Sequence, residues 1–253
     1  MHISLAVLLF CTSFVDQLLS SSHFWNVPLF KTKVSVYKTR RKLSSPTPPE
    51  NYCRKDLCPP NVQHIACDNP FWGPECTKPR AGVNMDKIKT RIVDLHNNYR
   101  AKLSVSGLGK LPLAKGLPKI NWNEELSTLA MRITNFCNDE EASKCVNTPH
   151  FLHVARNSFY HETTNSSKNI SPENFILETI KYWGDYYKCF DPNYVEKFPP
   201  DASEDEHEFA NIINQKVRFV GCGMLTRKPG LSPWYYVTCL YNDKVKPGQK
   251  LYD

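Results

Sequence analysis

Past Val15, no stretch of this 253-residue sequence approaches the ~20 consecutive apolar residues that a bilayer-spanning helix requires, so no transmembrane segment is expected. Closely spaced cysteine pairs are also missing. Cys53 and Cys58 are separated by Arg-Lys-Asp-Leu, and no second close pair completes a tetrahedron, which argues against a zinc module. Gly-x-Ser-x-Gly does not occur, and no other serine or cysteine nucleophile has an evident partner. No segment repeats at a fixed period, which excludes solenoid architectures. The part of the chain that reads as folded also lacks an excess of positive charge. Of the net +7, most sits in Lys31, Lys33, Lys38, Arg40, Arg41 and Lys42, and residues 51–253 carry 26 basic against 23 acidic side chains. Nucleic-acid binding is therefore not expected, since it would need a basic stripe on a folded surface.

Cysteine is what the sequence has in quantity: ten, eight of them at Cys53, Cys58, Cys67, Cys76, Cys137, Cys145, Cys222 and Cys239. So many thiols fit an oxidising compartment, where cross-links stabilise the folded chain. Eight cysteines allow about 105 pairings, so spacing alone leaves the connectivity open. The first 22 residues, apolar to Val15 and then small at Ser20-Ser21-Ser22, read as a secretory signal peptide although basic residues are missing from its start. Residues 23–50 are basic and end in Ser44-Ser45-Pro46-Thr47-Pro48-Pro49, which reads as a disordered leader. A secreted, extracellular protein is the expectation, with one domain over residues 51–253.

Within that domain, residues 51–80 hold four cysteines and the dipeptides Pro59-Pro60, Asn69-Pro70 and Gly73-Pro74, so cross-links rather than a core must order this lobe. Ile88, Ile92, Leu95, Tyr99 and Leu103 predict an amphipathic helix over 86–104. Asn123 predicts the cap of a second helix running to Cys137, and Ser171-Pro172-Glu173 the start of a third. Alternation predicts a strand over 151–160 and a hairpin of 216–225 with 233–241, turning at Lys228-Pro229-Gly230. Asn165 and Asn169 begin N-glycosylation sequons. Helices interspersed with antiparallel strands imply a layered α/β fold.

Several ordered fragments resemble the CAP superfamily of cysteine-rich secretory, antigen 5 and pathogenesis-related proteins. They are Asn51-Tyr52-Cys53, Leu95-His96-Asn97-Asn98-Tyr99-Arg100, Trp122-Asn123-Glu124-Glu125-Leu126, Val220-Gly221-Cys222-Gly223 and Tyr236-Val237-Thr238-Cys239-Leu240-Tyr241. The extra front cysteines make it most similar to the arthropod venom and salivary allergen branch. The resemblance implies a three-layer α-β-α sandwich with a disulfide-stapled N-terminal lobe, and the bridges Cys53–Cys67, Cys58–Cys145, Cys76–Cys137 and Cys222–Cys239. With Cys11 lost in the signal, Cys189 is then left as a free thiol, open to an intermolecular bridge between otherwise monomeric copies.

Much of that superfamily carries two histidines and two acids in a central cleft. Carried over by motif, those positions fall here on Phe151, Arg156, Tyr186 and Glu208, with His207 adjacent to the last. Phenylalanine offers no lone pair and arginine repels a cation, so neither a metal nor any other cofactor is expected. An Arg156–Glu208 ion pair is one way to fill the vacated space. His150 and His153 read as ordinary histidines, because residues three apart on a strand face opposite sides. His96 reads as a structural hydrogen-bonding residue, and Trp183-Gly184-Asp185 as a helix end and not an integrin-type tripeptide. The expected function is non-enzymatic: a secreted, venom- or saliva-type allergen-like protein that sequesters an apolar small ligand (sterol, fatty acid or eicosanoid) or a host protein. The alternatives are a metal-dependent hydrolase with a rebuilt site and an extracellular structural or defence protein.

Overall fold

The computed structural model describes residues 51–138, 142, 145–163, 170–230 and 232–253. The expected signal and leader segments and both sequons, at Asn165 and Asn169, lie outside the described residues.

A 3-10 turn at Met85–Lys87 precedes helix α1 (Lys89–Val105). They are separate elements, where the sequence predicts one helix, because Ile88 is non-helical (φ −129°, ψ −17°). Ile88, Ile92, Tyr99 and Leu103 face inward as their spacing demands. Asn123 caps α2 (Glu124–Thr134), its side chain accepting from Leu126 N–H at 2.9 Å. Ser171 caps α3 (Pro172–Asp185), which opens on proline and buries Phe175, Ile176, Thr179, Ile180 and Trp183. A fourth helix, α4 (Glu204–Ile213), closes its first turn with a capping box between Ser203 and Glu206.

The sheet runs β1 (Arg80–Gly82), β4 (Phe219–Arg227), β5 (Trp234–Tyr241), β3 (Ala155–Glu162), with the two-residue β2 (Asn121–Trp122) parallel to β4. β4 and β5 form the expected hairpin, with Cys222 opposite Cys239, and β3 pairs antiparallel with β5 as an edge strand. Successive side chains of a strand alternate between faces. One face packs on α1, α3 and α4 through the main apolar core, and the other on α2 through a second core around Leu126, Leu129, Ala130, Ile133 and Leu240. The result is an α-β-α sandwich. Helix α2 lies against bare backbone: a Cβ added to Gly221 would sit 2.2 Å from Ser127 N, and one on Gly223 2.4 Å from Met131 N. Ser127 Oγ, donating to Cys222 O at 2.8 Å, fixes the same contact.

Arg100 ties α1 to the end of α4. Only 1% exposed, its guanidinium donates to the carbonyls of Pro118, Ile212 and Asn214 at 2.9 Å and of Val217 at 3.3 Å. Burial pushes its pKa down to about 9. Disulfides join Cys53 to Cys67, Cys58 to Cys145, Cys76 to Cys137 and Cys222 to Cys239; the second and third anchor the front lobe to the chain around and beyond the end of α2.

Candidate functional site

The core beneath the site is wired by hydrogen bonds. His96 Nδ1 bonds Ile92 O at 2.8 Å and its Nε2 meets Tyr241 Oη at 3.0 Å. Asn157 Nδ2 donates to Tyr241 Oη at 3.4 Å and to Glu208 O at 2.9 Å, while its Oδ1 accepts from Asn211 Nδ2 at 2.9 Å. This chain joins α1, β5, β3 and α4. Burial pushes the His96 pKa down to about 4, since a charged imidazole would lose its hydration there, and lifts the Tyr241 phenol well above its ordinary range. His96 is a neutral structural residue.

Along the outer edge of β3 runs an open cleft of about 1090 Å³. β3 contributes Arg156, Ser158 and Tyr160, and the opening turns of α4 contribute Glu204, Asp205 and Glu208. Trp234 and Tyr236 of β5 complete a wall with Tyr160: the three rings lie within 20° of parallel, with centroids 6.3–6.5 Å apart. Tyr160 is 59% exposed, whereas Tyr236 is buried in a small core with Cys76, Cys137 and Leu225, so the wall opens to solvent at Tyr160. Across the cleft, Tyr182 of α3 donates to Asp205 Oδ1 at 3.0 Å, and burial together with the Asp205 charge raises its phenol pKa. Arg227 is occupied by Thr77, bonding its carbonyl at 3.2 Å and its hydroxyl at 2.7 Å. Arg156 differs: its Nη1 is withdrawn from solvent without a hydrogen-bond partner.

Of the four positions carried over by motif, the structure brings Arg156 and Glu208 together on this cleft and leaves two out. Phe151 packs on Phe219 (centroids 5.6 Å apart) at the margin of the α2 core. Tyr186 lies in the turn after α3, packed against the main core, its phenol raised mainly by burial. Glu208, rather than His207, faces the cleft; His207 meets Phe198 edge-on at 4.8 Å, and burial lowers its pKa. An Arg156–Glu208 contact within 4 Å is not among the ion pairs of the described residues. Sequence reasoning did not foresee the aromatic wall, Tyr182 or Asp205. The S-x-x-E spacing of Ser203 and Glu206 was the available sign of the helix that presents Asp205.

The donors do not suit a metal. Arg156 brings positive charge into the cleft and Phe151 has no ligand atom. His150 is exposed, 3.8 Å from Glu125, and His153 is exposed as well. Among the described residues, Cys53, Cys67 and Asp68 form the one set of three possible donors close enough for an ion, and those two sulfurs are bonded to each other.

Cys189 corrects an expectation. It is disulfide-bonded, not a free thiol. The expectation of a leftover thiol came from counting nine cysteines after loss of Cys11. Trp183-Gly184-Asp185 is structural: Trp183 is 1% exposed, a Cβ on Gly184 would lie 2.3 Å from the Tyr99 ring, and Asp185 accepts from Tyr99 Oη at 2.7 Å. Above this contact, α1 and α3 border a groove of about 440 Å³ lined by Leu95, Leu108 and Tyr99 but also by Lys102, Lys181 and Asp185.

Layer order and cleft define a disulfide-stapled α-β-α sandwich protein of the CAP class. A family model described as the cysteine-rich secretory protein family (CAP) matches residues 93–241. The chain is 31% identical over 213 residues to venom allergen-1 of Aedes albopictus, covering 80% of this chain and 78% of that one. It is 30% identical over 203 residues to venom allergen 3 of Solenopsis invicta, covering 76% and 83%. Among solved structures, BmVAL-1 aligns with 72% of this chain and 87% of its own at a TM-score of 0.54 and 19% identity, a likeness of fold. The chain belongs to the cysteine-rich secretory protein family and is a venom allergen-like member of it.

Proposed function

We propose that this protein is exported and acts by binding, holding a host ligand or protein without turning it over. The observation that carries this reading is the content of the cleft. Arg156 stands where the resemblance places an acid or amide, and Phe151 and Tyr186 lie outside the cleft, so of the four carried-over positions only Glu208 brings a proton-exchanging or metal-holding group there. An open, aromatic-walled cleft with groups of both signs is equipped for recognition. Export is supported by the disulfides and by the absence, among the described residues, of a helix long and apolar enough to cross a membrane. Glycosylation at Asn165 and Asn169 and removal of residues 1–22 belong to the same reading.

Calorimetric titration with zinc and copper, run beside turnover assays on ester and peptide substrates, tests it. No turnover is expected, and no tight metal site. Micromolar metal binding that disappears on substituting His150 or His207, or turnover that depends on Glu208, would overturn it. Mass spectrometry of lipid extracted from native material then separates the ligands: a stoichiometric lipid supports carriage of an apolar molecule, and its repeated absence points to a protein partner.

A further inference from the structure

Resting on the reading of the cleft as a binding site, its ligand class follows from three features of its lining. The first is Arg156. Its side chain lines the cleft, and its Nη1 makes no hydrogen bond to the protein, a costly state for a guanidinium N–H. Its fork of donors matches a carboxylate. The second is the acidic side: Glu204, Asp205 and Glu208 line the same space, and Asp205, although it accepts from Tyr182, retains lone pairs for another donor. A simple anion would satisfy Arg156 and be repelled by three carboxylates; a simple cation would meet the reverse. The third is the wall of Tyr160, Trp234 and Tyr236, in which the exposed Tyr160 ring, backed by its two near-parallel neighbours, offers a planar body a stacking surface.

We propose that the cleft holds a small zwitterion of the α-amino-acid type with a planar side chain, its carboxylate on Arg156, its ammonium toward Asp205 and Glu204, and its ring on the aromatic wall. A ligand with both charges on neighbouring atoms satisfies both sides of the cleft at once. The space of about 1090 Å³ accommodates it.

A matched indole series on the full secreted protein tests this by calorimetry: L-tryptophan carries both charges, indole-3-propionate the carboxylate alone, tryptamine the ammonium alone. Tryptophan is expected to bind about tenfold or more tightly than either, the gain of one charge-assisted contact. Arg156→Gln should abolish its advantage over tryptamine, and Glu204→Gln with Asp205→Asn its advantage over indole-3-propionate. Ligand-free melting keeps the first variant informative, because Arg156→Gln should melt no lower than wild type. A fall of more than ~4 °C would make Arg156 a structural residue and overturn the proposal. It is equally overturned if no probe binds below ~10 mM, if either singly charged probe matches tryptophan, or if Arg156→Gln keeps the preference. In each case the broader reading stands unless turnover or a metal site also appears.

Discussion

Asn157 and Arg156 are neighbours on β3 that face opposite sides of the sheet, and their surroundings could hardly differ more. Asn157, fully buried, gives and takes hydrogen bonds with Glu208, Tyr241 and Asn211. Arg156, half-buried, leaves Nη1 with nothing. Buried polar groups are as a rule satisfied, so the first residue is explained by the fold and the second is not. Adjacent positions on one strand thus separate what holds the sandwich together from what it presents to a ligand.

Four measurements would sharpen or break this contrast. The largest effect is expected from Asn157→Leu, which strands the Asn211 amide and the Glu208 carbonyl together. A loss of ~3–5 kcal/mol in denaturant unfolding is predicted, and a loss below ~1 kcal/mol would show that the wired side is not structural. Next is pH. His96 titrates near 4 when folded against 6.5 ordinarily, so between those values the unfolded state binds the extra proton. Stability is therefore full above ~6.5 and falls as pH drops toward ~4, by ~3 kcal/mol from His96 alone. His64 and His207, also lowered mainly by burial, add to the slope, and His96→Gln should flatten it in acid-unfolding curves. Third, Ser203→Ala removes the cap that sets the acidic side of the cleft, at ~1 kcal/mol. The smallest effect belongs to Arg156→Gln, where unfolding should shift by less than ~0.5 kcal/mol or move in favour of the fold. A cost near that of Asn157→Leu would erase the difference between the two sides.

Helices α1, α2 and α3 are legible in the sequence because apolar period and capping residues agree, and the β4–β5 hairpin because alternation flanks a Pro-Gly turn. The predicted strand over 151–160 is found at Ala155–Glu162, shifted because Thr148 and Phe151 exchange backbone hydrogen bonds in a turn before β3 begins. β1 and β2, three and two residues long, are too short to show any period. α4 escapes a periodicity reading because its opening turn is Glu204, Asp205 and Glu206. At the site, motif counting reaches Arg156 and Glu208 but cannot orient side chains, and so it groups Phe151 and Tyr186 with them. Trp234, Tyr236 and Tyr182 have no local signature; they meet the cleft because β3 is an edge strand, a property of strand order and not of any segment.

The glycines at 221 and 223 extend this contrast across the sheet. With backbone of α2 where their β-carbons would lie, almost any replacement there must lift a helix. That side of the sandwich is closed to variation, whereas the outward positions of β3, at Arg156, Ser158 and Tyr160, border open space and can exchange side chains without disturbing the layers. A scaffold built this way has one margin on which new specificities can be tried at little risk to folding.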